Sequence, residues 1–250
     1  MANDTIHQDV PLRLVHVIPV AGQSIASPSA YPAEEDFAEC SLRAACLVVE
    51  TTGLPVKIDT AVRHGDVDSV LIAESNGATM ICVGSLGIGR MARGVLGSTA
   101  ATLAEQAACP VAIIRRTEDG PLSEAGFIAV VVDDQPGNDQ VVQWAMEEAR
   151  VRRAPVLALG IGQWAHFEID NEKFHRRIDH WLRRYPDVEV EVVSTRLSLA
   201  RCLETRTGTV QLVVIDHEDA NRVVQLLGPH SPPILPHADC SVLVVRDRHQ

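Results

Sequence analysis

Short, continuous apolar runs recur along this chain, separated by amphipathic stretches of helical length. In the second half, Phe127 to Val132, Pro155 to Ile161, Val188 to Val193, Val210 to Ile215 and Ser241 to Val245 read as strands. Between them Asp139 to Arg152, Asn171 to Arg184 and Leu197 to Thr205 read as helices, and a further helical stretch precedes Ser241. Runs that are apolar on both faces and alternate with helices predict a parallel sheet covered on both sides. Ligands of such sheets bind beyond the carboxyl ends of the strands.

The first half repeats the second. Leu96-Gly97 matches Leu227-Gly228, Cys109 matches Cys240, Arg115 matches Arg246 and Pro55 matches Pro186, at one offset (228−97 = 240−109 = 246−115 = 186−55 = 131). A constant offset predicts two tandem α/β units, each with a parallel five-stranded sheet flanked by helices. The expected boundaries are 1–116 and 126–247, joined by a Gly-, Pro-, Ser- and acid-rich linker from Thr117 to Ala125. The first copy differs at its start. Pro11 to Ile18 aligns with the run beginning at Pro155, the second strand of the repeat, and only ten residues precede Pro11. The first unit therefore reads as incomplete, without the first strand and helix of its partner. Three origins stand open: a start site placed too late, a truncation filled by rearrangement or by another chain, and a degraded unit. The poor folding expected of a sheet without its centre favours the first.

Composition narrows the function classes. A net charge of −11 over 250 residues argues against nucleic-acid and anionic-membrane partners. The start, MANDTIHQDVP, has no apolar signal core, and no apolar run approaches membrane-spanning length, so the expectation is a cytoplasmic protein. The six cysteines form no CxxC pair, and Cys82, Cys109 and Cys240 lie in or beside apolar runs, which favours buried reduced thiols over disulfides or metal. His175 and His180 are five apart and do not share a helix face, and His64-Gly65-Asp66 reads as a turn with Asp66 capping the next helix rather than as a catalytic dyad.

The chemistry concentrates in Val83-Gly84-Ser85-Leu86-Gly87, then nine residues, then Gly97-Ser98-Thr99, ahead of Cys109-Pro110-Val111-Ala112-Ile113-Ile114-Arg115. Met80 to Val83 reads as a buried strand, and Gly84 follows where the chain turns at its carboxyl end. Without a Cβ, a glycine lets backbone amides approach a phosphate. Ser98 and Thr99, residues of N-cap type, open a helical stretch from Ala100 to Ala108, so free amides and a positive helix end face the same space. Arg90 and Arg93 between the glycines add charge to that loop or are simply solvated. A Walker loop would need Gly-Lys-Ser/Thr, and a Rossmann fingerprint would follow the first strand of its unit; neither fits. No GxSxG elbow surrounds Ser98, so it is not read as a nucleophile.

The Gly84-x2-Gly87-x9-Gly97-Ser98 arrangement resembles the nucleotide-binding signature of the universal stress protein family, in its tandem two-unit, actinobacterial-like form. The resemblance runs from Leu12 to Arg246 and is strongest over Thr79 to Arg116. It implies an adenine nucleotide alpha hydrolase-like, Rossmann-like fold and a bound adenine nucleotide, ATP, with or without Mg. By carry-over Gly84, Gly87, Gly97 and Ser98 hold phosphate and ribose, Ser85 and Thr99 are neighbours able to join them, and Val17 contacts adenine. Relatives also place an aspartate near the adenosine at the end of their first strand, and the first copy has no counterpart. The second copy supplies that aspartate in Val131-Val132-Asp133-Asp134, yet Ile215 replaces Gly84, Glu218 replaces Gly87, and Pro229-His230 follow Gly228. No nucleotide is expected there. The strands Val111 to Arg115 and Ser241 to Val245 are expected to join the two units. The functional expectation is a stress-response regulator without strong catalytic activity, acting as a homo-oligomer or through a protein partner; slow hydrolysis stays open. The alternative is a nucleotide-free interaction scaffold acting through oligomerisation.

Overall fold

The computed structural model describes residues 10–20, 31–85, 96–115, 126–161, 171–195, 199, 210–222 and 240–246. They form two compact units, 1–79 and 80–250.

The larger unit is built on one seven-stranded sheet. Its strands are β3 (Ile81–Gly84), β4 (Val111–Ile114), β5 (Phe127–Val131), β6 (Val156–Ile161), β7 (Val190–Thr195), β8 (Val210–Asp216) and β9 (Ser241–Val245), in the order β3-β4-β9-β8-β5-β6-β7. The helices are α3 (Ser98–Gln106), α4 (Asn138–Arg152) and α5 (Asn171–Arg184). The last five strands in that order are the second repeat, all parallel, as the alternation of runs predicts. Every residue of β9 is buried, and so are six of the seven in β8, which is why both strands read as unbroken apolar runs. α4 buries Val141, Val142, Ala145, Met146 and Ala149 at helical spacing, while Asp139 in its first turn and Arg150 and Arg152 in its last complement the helix dipole. α5 buries Phe174, Ile178 and Trp181, with Tyr185 just beyond its end, in steps of four, three and four.

β4 and β9 pair antiparallel, with Val111 opposite Val244, Ala112 opposite Leu243 and Ile113 opposite Val242. This is the joint expected from the two last strands. Arg246 reinforces it by donating from Nη2 to the carbonyls of Ala104 (3.2 Å) and Glu105 (2.7 Å), placing a cation on the carboxyl end of α3.

The smaller unit holds β1 (Leu12–Ile18) and β2 (Ile58–His64), a parallel two-stranded sheet, with α1 (Tyr31–Thr51) and α2 (Val67–Ser75). Asp66 caps α2, its Oδ1 accepting from the Ser69 amide (2.9 Å) and hydroxyl (2.7 Å), the structural role read for it from the sequence.

Two expectations need correction. The first repeat does not form a five-stranded sheet of its own: β3 and β4 join the sheet of the second repeat, and β1 and β2 form another. The reason lies in β5, which hydrogen-bonds to β8 on one side and β6 on the other. Among the described residues the first repeat has no strand in that position. The packing boundary accordingly falls at Thr79/Met80, whereas the sequence repeat divides at 117–125. Second, β7 begins at Val190 rather than Val188, because Val188 is still in the turn after α5, its amide bonded to the Tyr185 carbonyl (3.1 Å). The helix read over 197–205 lies outside the described residues apart from Leu199, which is helical and fully buried.

Gly160 in β6 faces the Phe174 ring so closely that a Cβ there would meet ring carbons at 3.0–3.2 Å. Gly160→Ala should cost about 1–3 kcal/mol in urea unfolding, because overpacking forces the ring out of place. Gly77→Ala, with nothing within 4 Å of the added methyl, should stay within about 0.5 kcal/mol of the parent.

Candidate functional site

β3 ends at Gly84, in register with Ile114 of β4, and the chain is held there by the Ser85 amide donating to the Ile114 carbonyl (2.9 Å). Ser85 is buried and Gly84 is exposed. The Ser85 carbonyl accepts from the Gly97 amide (2.8 Å), so the carboxyl end of β3 and the amino end of α3 are hydrogen-bonded to one another.

The cap of α3 corrects the sequence reading. The helix starts at Ser98, not Ala100, and ends at Gln106, where Ala107 turns extended (φ −63°, ψ 147°). Gly97 is the N-cap (φ −64°, ψ 145°), and no side chain caps the helix. Ser98 and Thr99 are first-turn residues. This matters chemically, since a serine cap would satisfy one of the first-turn amides, whereas glycine leaves them open. Ser98 is exposed and Thr99 half-buried.

Of the residues singled out in the sequence, the structure therefore brings together Gly84, Ser85, Gly97, Ser98 and Thr99. Gly87, with Arg90 and Arg93, lies outside the described residues. Val17 is half-buried near the end of β1, opposite Arg63, and belongs to the other compact unit.

The corresponding place in the second repeat is a cleft of about 260 Å³ at the carboxyl ends of β5 and β8. Asp133, Asp216, Glu218 and Asp219 line it, and among the described residues no lysine or arginine does. Asn138 clamps its floor: its Oδ1 accepts from the Asp133 amide (3.1 Å) and its side-chain amide donates to the Val131 carbonyl (2.9 Å). The Asp216 carboxylate lies against Gly137 at the start of α4, 2.9 Å from where a Cβ would stand, and also approaches His217 Nδ1 at 2.9 Å. The chain thus supplies its own anions where the repeat would otherwise receive a phosphate. Like charges in a partly desolvated cleft repel strongly, which disfavours a phosphate in this cleft. Ile215, which replaces Gly84, is buried. The substitutions were readable in the sequence, but the seating of Asp216 on Gly137 was not, because it joins positions far apart in the chain.

Burial holds the Asp133 carboxyl above the ordinary carboxylate range; the Gln135 amide bonded to its Oδ1 (2.9 Å) opposes this, Asp219 adds to it, Arg177 opposes it and Asp216 adds again.

Together the fold and the site define an α/β protein in which the end of β3 is hydrogen-bonded to the glycine-capped start of α3. A family model described as the universal stress protein family matches residues 2–115. Universal stress protein Rv2624c of Mycobacterium tuberculosis (strain ATCC 25618 / H37Rv) is 44% identical over 244 residues, covering 98% of this chain and 89% of the relative. Universal stress protein Rv3134c of the same strain is 35% identical over 256 residues, 98% of this chain and 88% of the relative. The crystal structure of a universal stress protein from Archaeoglobus fulgidus shares the fold at a TM-score of 0.70 with 16% identity, covering 98% of this chain and 89% of that one. The chain belongs to the universal stress protein family. Among the described residues, no helix is long and apolar enough to cross a membrane.

The raised pKa of Asp133 carries a stability consequence. The native state holds this proton to higher pH than the unfolded chain, so the contribution is full below the unfolded pKa. It is lost as pH rises through the native value. Asp133→Asn keeps the acceptor for the Gln135 amide and removes the buried charge. The variant should be more stable than the parent at pH 7, with the gain vanishing near about pH 3, as read by urea unfolding at both pH values.

Proposed function

We propose that the chain binds an adenine nucleotide, ATP, through its first repeat and acts as a nucleotide-responsive regulator rather than a catalyst. The observation that carries this reading is the bond from the Gly97 amide to the Ser85 carbonyl, which joins Gly84 to the open amides of Ser98 and Thr99. Those amides and the dipole of α3 would hold phosphate oxygens, and Gly84 would let the backbone approach them. Gly87 and Val17 complete the proposed set by family resemblance, Gly87 on the phosphate side and Val17 at the adenine. Mg, if it accompanies the nucleotide, would be held mainly by phosphate oxygens, because these residues offer amides and hydroxyls and no carboxylate. For the same reason no group among them is placed to act as a general base, so hydrolysis is not part of the proposal.

Binding would matter by favouring one assembly state over another, and it can do so only to the extent that its affinity for the two differs. A homo-oligomer in the cytoplasm, or a complex with a protein partner, is the proposed setting. A second reading, a nucleotide-free interaction scaffold, draws on α1, where Phe37, Leu47 and Val48 are 59%, 60% and 67% exposed. Phe37 and Val48 stand three turns apart on one side of that helix, and apolar side chains left in water there suit a partner surface.

The two readings separate by mass spectrometry of the nucleotide released when the purified chain is denatured. The nucleotide reading predicts near-stoichiometric ATP from the parent and at least about a tenfold loss in Gly97→Glu, which sets a carboxylate at the phosphate position. A folded parent that carries none and takes up no added ATP would leave only the scaffold.

A further inference from the structure

The cleft of the second repeat disfavours a phosphate, and its construction suits the opposite charge. β5 is bonded to β6 on one side and to β8 on the other, so the crevice between the carboxyl ends of β5 and β8 is the switch point at which open α/β sheets take ligands. Its volume, about 260 Å³, lies just below the roughly 300 Å³ at which small-molecule pockets begin. The floor is apolar: Val131, Val141, Val214 and Ile215 line it and are at most 4% exposed.

Over that floor the Asp133 carboxyl is short of countercharge. It is 8% exposed, its Oδ1 accepts from the Gln135 amide, and among the described residues no hydrogen-bond donor reaches Oδ2. Arg177, whose charge bears on Asp133, does not line the cleft and donates to Asp139 (2.7 Å) and Asn138 (3.4 Å) instead. Arg246, whose charge bears on Asp216, is committed to the carbonyls of Ala104 and Glu105. His217, the lining residue able to carry positive charge, stands with Nδ1 at 2.9 Å from Asp216 Oδ1, which also accepts from the Glu218 amide (2.9 Å). A carboxyl that burial holds above its ordinary range gains most from an arriving cation. A metal ion does not fit that role: among the described residues no three His, Cys, Asp or Glu side chains converge to hold one. Carboxylates spread over an apolar floor match a molecule that carries its charge on an apolar stem.

We infer that this cleft binds a small organic ammonium, an aliphatic amine whose methylene stem lies on Val131, Val141, Val214 and Ile215 and whose charged head donates to the Asp133 carboxylate. Asp216 and Glu218 receive a second ammonium where the ligand is a diamine. The charge-assisted bond at Asp133 supplies most of the affinity, and the apolar floor selects against bare inorganic cations.

The test titrates the full chain with cadaverine, a linear aliphatic diamine, and follows it by calorimetry and by amide shifts in NMR. Binding should saturate, with shifts at the amides of Gln135, Asn138, Gln140, Glu218 and Asp219 and none at Ser98 or Thr99. The neutral diol analogue of cadaverine should not bind. Asp133→Asn, which removes the buried charge, should weaken binding at least about tenfold while urea unfolding shows the fold intact. Asp179→Asn removes the same unit of charge from an exposed position of α5 outside the cleft and should change affinity less than about twofold. Absence of saturable binding, unchanged affinity in Asp133→Asn, or equal binding of the diol would overturn the inference. So would equal weakening by Asp179→Asn, which would reduce the effect to the attraction of a net charge of −11, and so would displacement of the amine by AMP at the same cleft amides, which would make the cleft an anion site after all.

Discussion

The antiparallel pairing of β4 with β9 is the contact on which the arrangement of the larger unit depends. Three residue pairs hold it, Val111 with Val244, Ala112 with Leu243 and Ile113 with Val242. Each backbone hydrogen bond contributes only about 0.5–1.5 kcal/mol net. The greater term is the burial of these side chains, all at most 7% exposed, which at about 25 cal/mol per Å² comes to roughly 1.5–3 kcal/mol for each of the larger ones. Through this joint the short β3–β4 pair of the first repeat gains the support of the complete sheet of the second. Arg246, reaching from the end of β9 to the last carbonyls of α3, ties the candidate anion site to the same joint.

The two repeats divide the work unequally. In the first, glycine at the strand end and glycine at the helix cap leave backbone amides open. In the second, a buried isoleucine stands at the strand end and four carboxylates ring the cleft, one of them seated at the amino end of α4. The same architecture thus presents a positive surface of backbone dipoles in one copy and a negative surface of side chains in the other. The sheet of the second repeat is the better packed: β5, β6 and β8 lie almost wholly in the core.

Much of this was legible in the sequence. The unbroken apolar runs located β5, β6, β8 and β9 because a strand covered on both faces cannot hide its composition, and the family resemblance pointed to the last strands as those that join the repeats. The glycine spacing identified the end of β3. The start of α3 was misplaced by two residues, because serine and threonine favour N-caps and nothing local shows that Gly97 takes the position. The division at Thr79/Met80 was less legible. A repeat records common ancestry of segments, whereas a packing unit records which strands share hydrogen bonds, and with no counterpart of β5 among the described residues the two boundaries part company.

Hydrogen exchange across an ATP titration tests the central claim most directly, because it reports where a ligand sits as well as whether it binds. The account predicts that the amides of Ser98 and Thr99 become protected, while those from Gln135 to Gln140, at the opening of the acidic cleft, keep their rates. Protection at Gln135 to Gln140 with none at Ser98 and Thr99 would contradict it, placing the nucleotide in the wrong repeat.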